Sequence, residues 1–290
     1  MAKITWDVPV RYVNSNNETF VLQGDGLGYL DILPLYGYSW GYDLANSVSG
    51  DGGAATGFSR RPRAFNLELR RRGPDRAAFV SRMDALHAAA EVDVLAEKPG
   101  RLWLADQYLD CYLAVGATVT SAPRNGAFGT VEVNVLAVKP YWCTERTTEF
   151  YPLVSGEGRG DHGKKYDLKN AYRYGTSIAS NDINNQFYAP TPAIITLYGP
   201  AEAPAVTIEG NVYGVNTSIT ATQRLVIDGT KREIYAVGEG GARIDLFNHR
   251  VKTGDAFKPV DMGVHRVLTN GNYRMQIKLI EQRSQPRWIE

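Results

Sequence analysis

The chain has 290 residues, 43% hydrophobic and 22% charged, with 32 Lys+Arg against 31 Asp+Glu and a formal net charge of +1. That length allows two domains with a core in each, and the balanced charge excludes a global basic excess, so a role on nucleic acid needs a local patch. No apolar run approaches the roughly 20 residues of a membrane span, and the opening MAKITWDVPVRYVNSNN lacks the apolar core of a signal peptide, so the expectation is a chain made in the cytoplasm, neither inserted nor exported.

Strand and turn dominate the first half. ETFVLQG (Glu18–Gly24) is a short β-type run closed by glycine, and YLDILPLYGYSWGYDLA is broken by Pro34 and Gly37 into an edge or a bend. RAFNLELRRR alternates, with Phe65, Leu67 and Leu69 on one face and Asn66, Glu68 and Arg70 on the other, the period of a half-buried strand. One helix is expected at about 74–92: Pro74 and Asp75 suit its start, Phe79, Met83, Leu86 and Ala90 make one apolar face, and EKPG stops it. GRLWLADQYLDCYLAVGATVTSAP reads as two strands turning around Ala105–Tyr108, and GAFGTVEVNVLAVKPYW places Val131, Val133 and Val135 on one side of a further strand. Strands flanking a single helix predict an α+β domain over 1–145, a mostly antiparallel sheet with the helix on one face.

Residues 155–190 are rich in Gly, Asn, Asp and Ser and read as long loops with a strand or two. From Thr191 onward, short runs such as PAIITLYGP, PAVTIEGN and KREIYAVG, separated by turn residues, predict a β-sandwich within a second domain at 146–290. DGTKR and TNGNY are expected to be tight hairpin turns, because DG and NG tolerate positive φ. The fold class is therefore mostly β.

Chemistry is sparse in this pattern. Cys111 and Cys143 form no CxxC pair and read as small buried hydrophobes. His87, His162, His249 and His265 are scattered, with no HxxxH or HExxH, so no metal or cofactor is expected. GDGGAATGFS lacks the lysine of a phosphate loop and runs toward a strand where such a loop enters a helix. No GxSxG elbow appears, and no catalytic residue is expected.

Two groups stand out as candidate contacts. Arg60, Arg61, Arg63, Arg70, Arg71 and Arg72 fall within thirteen positions that contain one acid, Glu68. Three readings stay open for them: a nucleic-acid patch, a solvated strand edge kept from aggregating by charge, or contacts to acidic groups on a neighbouring subunit. The 17 tyrosines include Tyr172, Tyr174 and Tyr188 in or beside the loop-rich segment, where aromatics pack a loop, dock a partner or stack on sugar. A carbohydrate-binding adhesion module is the alternative that these aromatics support.

The order of four motifs resembles the distal tail protein family of long-tailed, siphovirus-type bacteriophages: the glycine turn Gly50–Gly53, the strand into a single helix, Pro140–Tyr141 closing the first domain, and the tail EQRSQPRW from Glu281 to Trp288. The resemblance covers nearly the whole chain, and segment 155–190 is longer than the family's interdomain joint. It implies a structural, non-enzymatic protein of the virion at the distal end of the tail, assembled in the host cytoplasm. Six copies would close a hub ring from their first domains, each clasping the next with a long β-hairpin, while galectin-like second domains project outward. The implied partners are further copies of itself, the tail tube protein, and tail-tip, receptor-binding or baseplate proteins, with DNA only as passing cargo. The arginines would then lie at subunit or tube contacts.

Overall fold

The computed structural model describes residues 8–25, 28–38, 40–46, 50–120, 127–152 and 181–288. The protein is mostly β, its sheets are antiparallel, and among the described residues it has one α-helix. The chain divides into two units, Met1–Thr144 with Gln282–Glu290, and Glu145–Glu281. Residues 282–288, read above with the second domain, thus group with the first.

The first unit runs through β1 (Val10–Val13), β2 (Thr19–Gln23), β3 (Gly28–Leu30), β4 (Trp40–Asn46), β5 (Gly53–Arg60), β6 (Arg63–Arg72), α1 (Arg76–Leu95), β7 (Gly100–Leu104), β8 (Gln107–Thr120), β9 (Phe128–Ala137) and the start of β10 (Trp142–Phe150). Pro34 and Gly37 mark a 3-10 turn at Leu33–Tyr36 whose Leu35 is fully buried. The long strand β8 belongs to two sheets. Gln107–Cys111 pair with β7, and the residues from Tyr112 onward pair with β9. One sheet then continues through β7 and β1 to β2, the other through β9 and β6 to β3.

Alternation fills the core between them. Val10, Tyr12, Leu102, Leu104, Leu109 and Cys111 meet Leu67, Leu69, Val131, Val133 and Val135, and α1 adds Met83, Leu86 and Ala90 with Phe79 packed alongside. Both cysteines are buried and free, and burial pushes the Cys111 thiol far above its ordinary range. At the head of the helix the Asp75 carboxylate accepts from the Ala78 amide at 2.8 Å, an N-cap worth about 1 kcal/mol. The helix ends at Leu95, three residues past the expected 92, and EKPG does stop it: its first residue, Glu97, enters the left-handed region at φ 52°.

A buried polar pair fastens the end of α1 to β1. Asp93 is fully buried; its carboxylate accepts the Tyr12 hydroxyl and, at 2.7 Å, the Ser15 amide. Gly100 is required beside them, since a Cβ there would collide with both the Tyr12 hydroxyl and the Asp93 carboxylate. Burial first, and the hydrogen bond to Asp93 second, hold the Tyr12 phenol neutral far above its usual pKa.

The second unit carries the end of β10, then β11 (Asn181–Asn185), β12 (Ala193–Tyr198), β13 (Ala205–Ile208), β14 (Asn211–Gly214), β15 (Arg224–Asp228), β16 (Glu233–Val237), β17 (Arg243–Asp245), β18 (Gly263–Thr269) and most of β19 (Met275–Arg283). Strands β17, β16, β15, β12 and β19 are neighbours in one sheet, and β11, β18, β13 and β14 form another. Ile195, Leu197, Leu225, Ile227, Ile277 and Leu279 from the first share one core with Ile183, Val206, Ile208 and Val267 from the second, the inward residues of a β-sandwich.

Two turn expectations need correction. DGTKR does join the hairpin β15–β16, but Asp228 pairs with Glu233, so the loop has four residues, and Arg232 at φ 59° takes the left-handed position. The loop is held by the Asp228 carboxylate, which accepts from Thr230 and Lys231, an Asx-type closure, and Gly229 is needed for space and not for φ, since a Cβ there would come within 2.8 Å of the Ala193 carbonyl oxygen. TNGNY is not a hairpin: it carries the chain from β18 in one sheet to β19 in the other. Asn270 and Tyr273 tie it to the Ala203–Ala205 backbone, with the Tyr273 hydroxyl donating to the Ala205 carbonyl at 2.6 Å. A two-residue turn that was not expected lies at Glu209–Gly210, where both residues have positive φ between paired Ile208 and Asn211.

Candidate functional site

The six arginines separate into three environments. Arg63 and Arg71 share the inner face of β6 with Phe65, Leu67 and Leu69, and both are used internally. The Arg63 guanidinium donates to the Pro34 and Gly37 carbonyls and lies 4.2 Å from the Phe65 ring centroid, so it closes the 3-10 turn, and burial lowers its pKa. Arg71 makes a two-pronged ion pair with Asp25, at 2.7 and 3.3 Å, the fork geometry peculiar to arginine.

Arg70 and Arg72 point to the outer face of β6 and are exposed. Arg70 pairs with Glu68 at 2.8 Å, and that bond raises its pKa. The same face continues through Asn66, Glu132 and Asn134, joined by side-chain hydrogen bonds. Here β6 is flanked by β3 on one side and β9 on the other, so the reading of Arg70–Arg72 as a solvated strand edge does not hold. The patch is polar with mixed charge.

Arg60 and Arg61 belong to a different structure. Among the described residues, strands β4 and β5 pair only with each other, as a two-stranded ribbon. Trp40 faces Arg60, Tyr42 faces Phe58, and Leu44 faces Ala55. Alternation therefore gathers Trp40, Tyr42, Leu44 and Phe58 on one face, and all four are exposed, Phe58 at 67%. The other face holds small residues, Gly41, Ala45, Gly57 and Ala54, beside Asp43. The glycines of GDGG serve the distal turn, where Gly52 at φ +95° takes a conformation that side chains avoid. They lead into β5 and not into a helix.

At the root of the ribbon, the Arg60 guanidinium carbon sits 4.9 Å from the Trp40 ring centroid and 5.7 Å from that of Tyr141. Its Nε is buried without a hydrogen-bond partner. Arg60, Arg61 and Arg63 line one small cleft together with Tyr38, Pro140 and Ser284. The adjacency of these three arginines was legible in the sequence. The ribbon was not, because Gly, Ala, Ser and Thr mask the strand period of β5.

Tyr172 and Tyr174 lie outside the described residues. Tyr188 is 68% exposed and packs its ring 4.1 Å from that of Phe187, which is itself buried. Among the histidines, His87 is exposed on α1. His265 is buried, with Nδ1 against the Glu209 carboxylate and Nε2 2.7 Å from the Asp261 carbonyl, a contact that sequence spacing did not announce. No cluster of potential metal ligands occurs among the described residues, and no described helix is long and apolar enough to cross a membrane.

The fold is that of phage-tail hub and baseplate proteins. No family model and no curated protein matches the chain. Among solved structures it is similar to the Dit protein of phage SPP1, described as a paradigm of the hub adsorption apparatus in phages infecting Gram-positive bacteria, with a TM-score of 0.57 at 13% identity over 95% of this chain and 98% of that one. It is likewise similar to a chain of the phage P2 baseplate in its activated conformation with Ca, with a TM-score of 0.62 at 15% identity over 96% of this chain and 99% of that one.

Proposed function

We propose that this chain is a structural, non-enzymatic distal tail protein. Six copies form a hub ring at the end of a phage tail, joining the tail tube to the tail-tip, baseplate and receptor-binding proteins. The ring assembles in the host cytoplasm, DNA passes it only as cargo, and the second unit serves as a galectin-like platform for protein partners. Arg70 and Arg72, on the outer face of β6, are available to tube or subunit contacts.

The likeness to hub and baseplate proteins spans nearly the full chain and supports this reading. The observation that carries it is the β4–β5 ribbon. A lone two-stranded ribbon is marginal in water, and this one presents Trp40, Tyr42, Leu44 and Phe58 on a single uncovered face. Fully burying such side chains is worth roughly 1.5–3 kcal/mol each, so the ribbon is built to lie on another surface. Repeated around a closed axis, that contact makes a ring.

The reading is tested by mixing the purified chain with polymerised tail tubes of its parent phage and imaging them by electron microscopy. Rings capping one end of each tube are expected. Binding along the tube wall, or none, would contradict it.

A further inference from the structure

The cleft at the ribbon root joins three guanidinium groups, and none of its described lining residues is acidic. Arg63 commits one Nη1 and one Nη2 donor to the Gly37 and Pro34 carbonyls, which fixes it on the 3-10 turn while its charge stays beside the cleft. Arg60 is held in place by the Trp40 and Tyr141 rings, yet its Nε has no acceptor. Arg61 is exposed, and no described carboxylate pairs with it or with Arg60. A buried donor left without an acceptor costs about 1–3 kcal/mol, more when charged, so an anion entering the cleft would relieve this arrangement. The cleft has room for about one water-sized group, enough to admit one oxygen of a carboxylate and too little for a sugar ring or a base.

The ribbon itself supplies the complementary charge. Its acids are Asp43, on the small-residue face, and Asp51, exposed beside Gly52 at the distal end. The seven-residue strand Trp40–Asn46 separates Asp51 from the arginines of its own root by about 20 Å, too far to pair within one copy. We infer that Arg60 and Arg61 form a carboxylate clamp that receives Asp51 from the ribbon of a neighbouring copy. A head-to-tail ring gives every copy the same donor root and the same acceptor tip, so one acid and one clamp per chain satisfy all of them. This inference rests on the ring reading above.

Charge exchange tests it. The oligomer of the wild-type chain is compared by sedimentation velocity with Arg61→Glu, Asp51→Arg, and the chain carrying both, with thermal melts confirming that each folds. Arg61 and Asp51 are chosen because both are exposed. Each single reversal should weaken assembly at least tenfold, and the double variant should recover most of it. Singles that assemble like wild type, or a double variant as impaired as either single, would overturn the clamp while leaving the ring intact. A wild-type chain that never oligomerises would overturn both. Loss of binding to a short DNA duplex in Arg61→Glu with assembly unchanged would assign the clamp to phosphate and overturn the inference.

Discussion

Trp288 stacks on Tyr36, with ring centroids 4.2 Å apart and planes 12° from parallel. The contact is part of a longer return of the chain's last residues to the first unit. The Gln107 side chain, almost fully buried, takes the Arg287 amide at 2.7 Å, and the Arg287 guanidinium reaches Asp106 at 3.0 Å and Thr144 at 3.1 Å. Removing residues 282–290 should therefore destabilise the first unit by roughly 2–4 kcal/mol, the sum of an aromatic pair and a buried amide left short of partners. Trp288→Ala alone should cost about 1 kcal/mol. Urea unfolding of the truncated chain checks this; an unchanged midpoint would mean the return is ornamental.

Tyr12 and Asp93 should behave as a unit. Tyr12→Phe deletes the hydroxyl and leaves the buried carboxylate with the Ser15 amide, so a loss of about 2–3 kcal/mol is expected. The pair Tyr12→Phe with Asp93→Leu should cost less than the two singles added, because no buried charge then lacks a partner. A Tyr12→Phe change within about 0.5 kcal/mol of wild type would show that the pair does not fasten α1.

Stability should fall steeply in alkali. Burial raises the pKa of Tyr12, Tyr36, Tyr141, Tyr213 and Tyr273, the last to about 12. An unfolded phenol titrates near 10. The contribution of these groups is thus fully present below about pH 10 and is lost as the pH climbs toward their folded values, since the unfolded chain sheds protons that the folded chain keeps. Tyr12 and Tyr273, whose shifts are large, each remove about 1.4 kcal/mol per pH unit above that point until the folded pKa is reached, and the other three add to the loss in the same direction. Urea midpoints flat to pH 8–9.5 and dropping sharply by pH 11 are expected, and a flat profile throughout would contradict the burial assigned here.

The ribbon should be dispensable for folding and needed for assembly. Trp40→Ser with Phe58→Ser changes exposed residues, so the melting temperature of the monomeric unit should move little. Assembly should fail at concentrations where the wild type associates. Equal association of the variant and the wild type would remove the ribbon from the interface.

What the sequence discloses here follows from the range of each interaction. Phe65, Leu67 and Leu69 announced β6, because a period of two is local and depends only on which face is buried; Met83, Leu86 and Ala90 announced α1 the same way. The roles of Arg63 and Arg71 were hidden, because their partners, Pro34, Gly37 and Asp25, lie far away in the chain. Six adjacent arginines looked like one patch, yet strand alternation turns two of them inward and the break between β5 and β6 separates two more. TNGNY has the local chemistry of a hairpin, but the pairing of β18 with β11 and β13, and of β19 with β12, makes it a crossover. The ribbon's isolation is a property of what fails to cover it, which no local pattern encodes.

The central claim is that copies of this chain close into a ring, and mass in solution tests it most directly. Light scattering on the purified chain, alone and with tail tube protein, should give a discrete assembly of six times the 32.0 kDa chain. A 32.0 kDa monomer at every concentration under both conditions would contradict it.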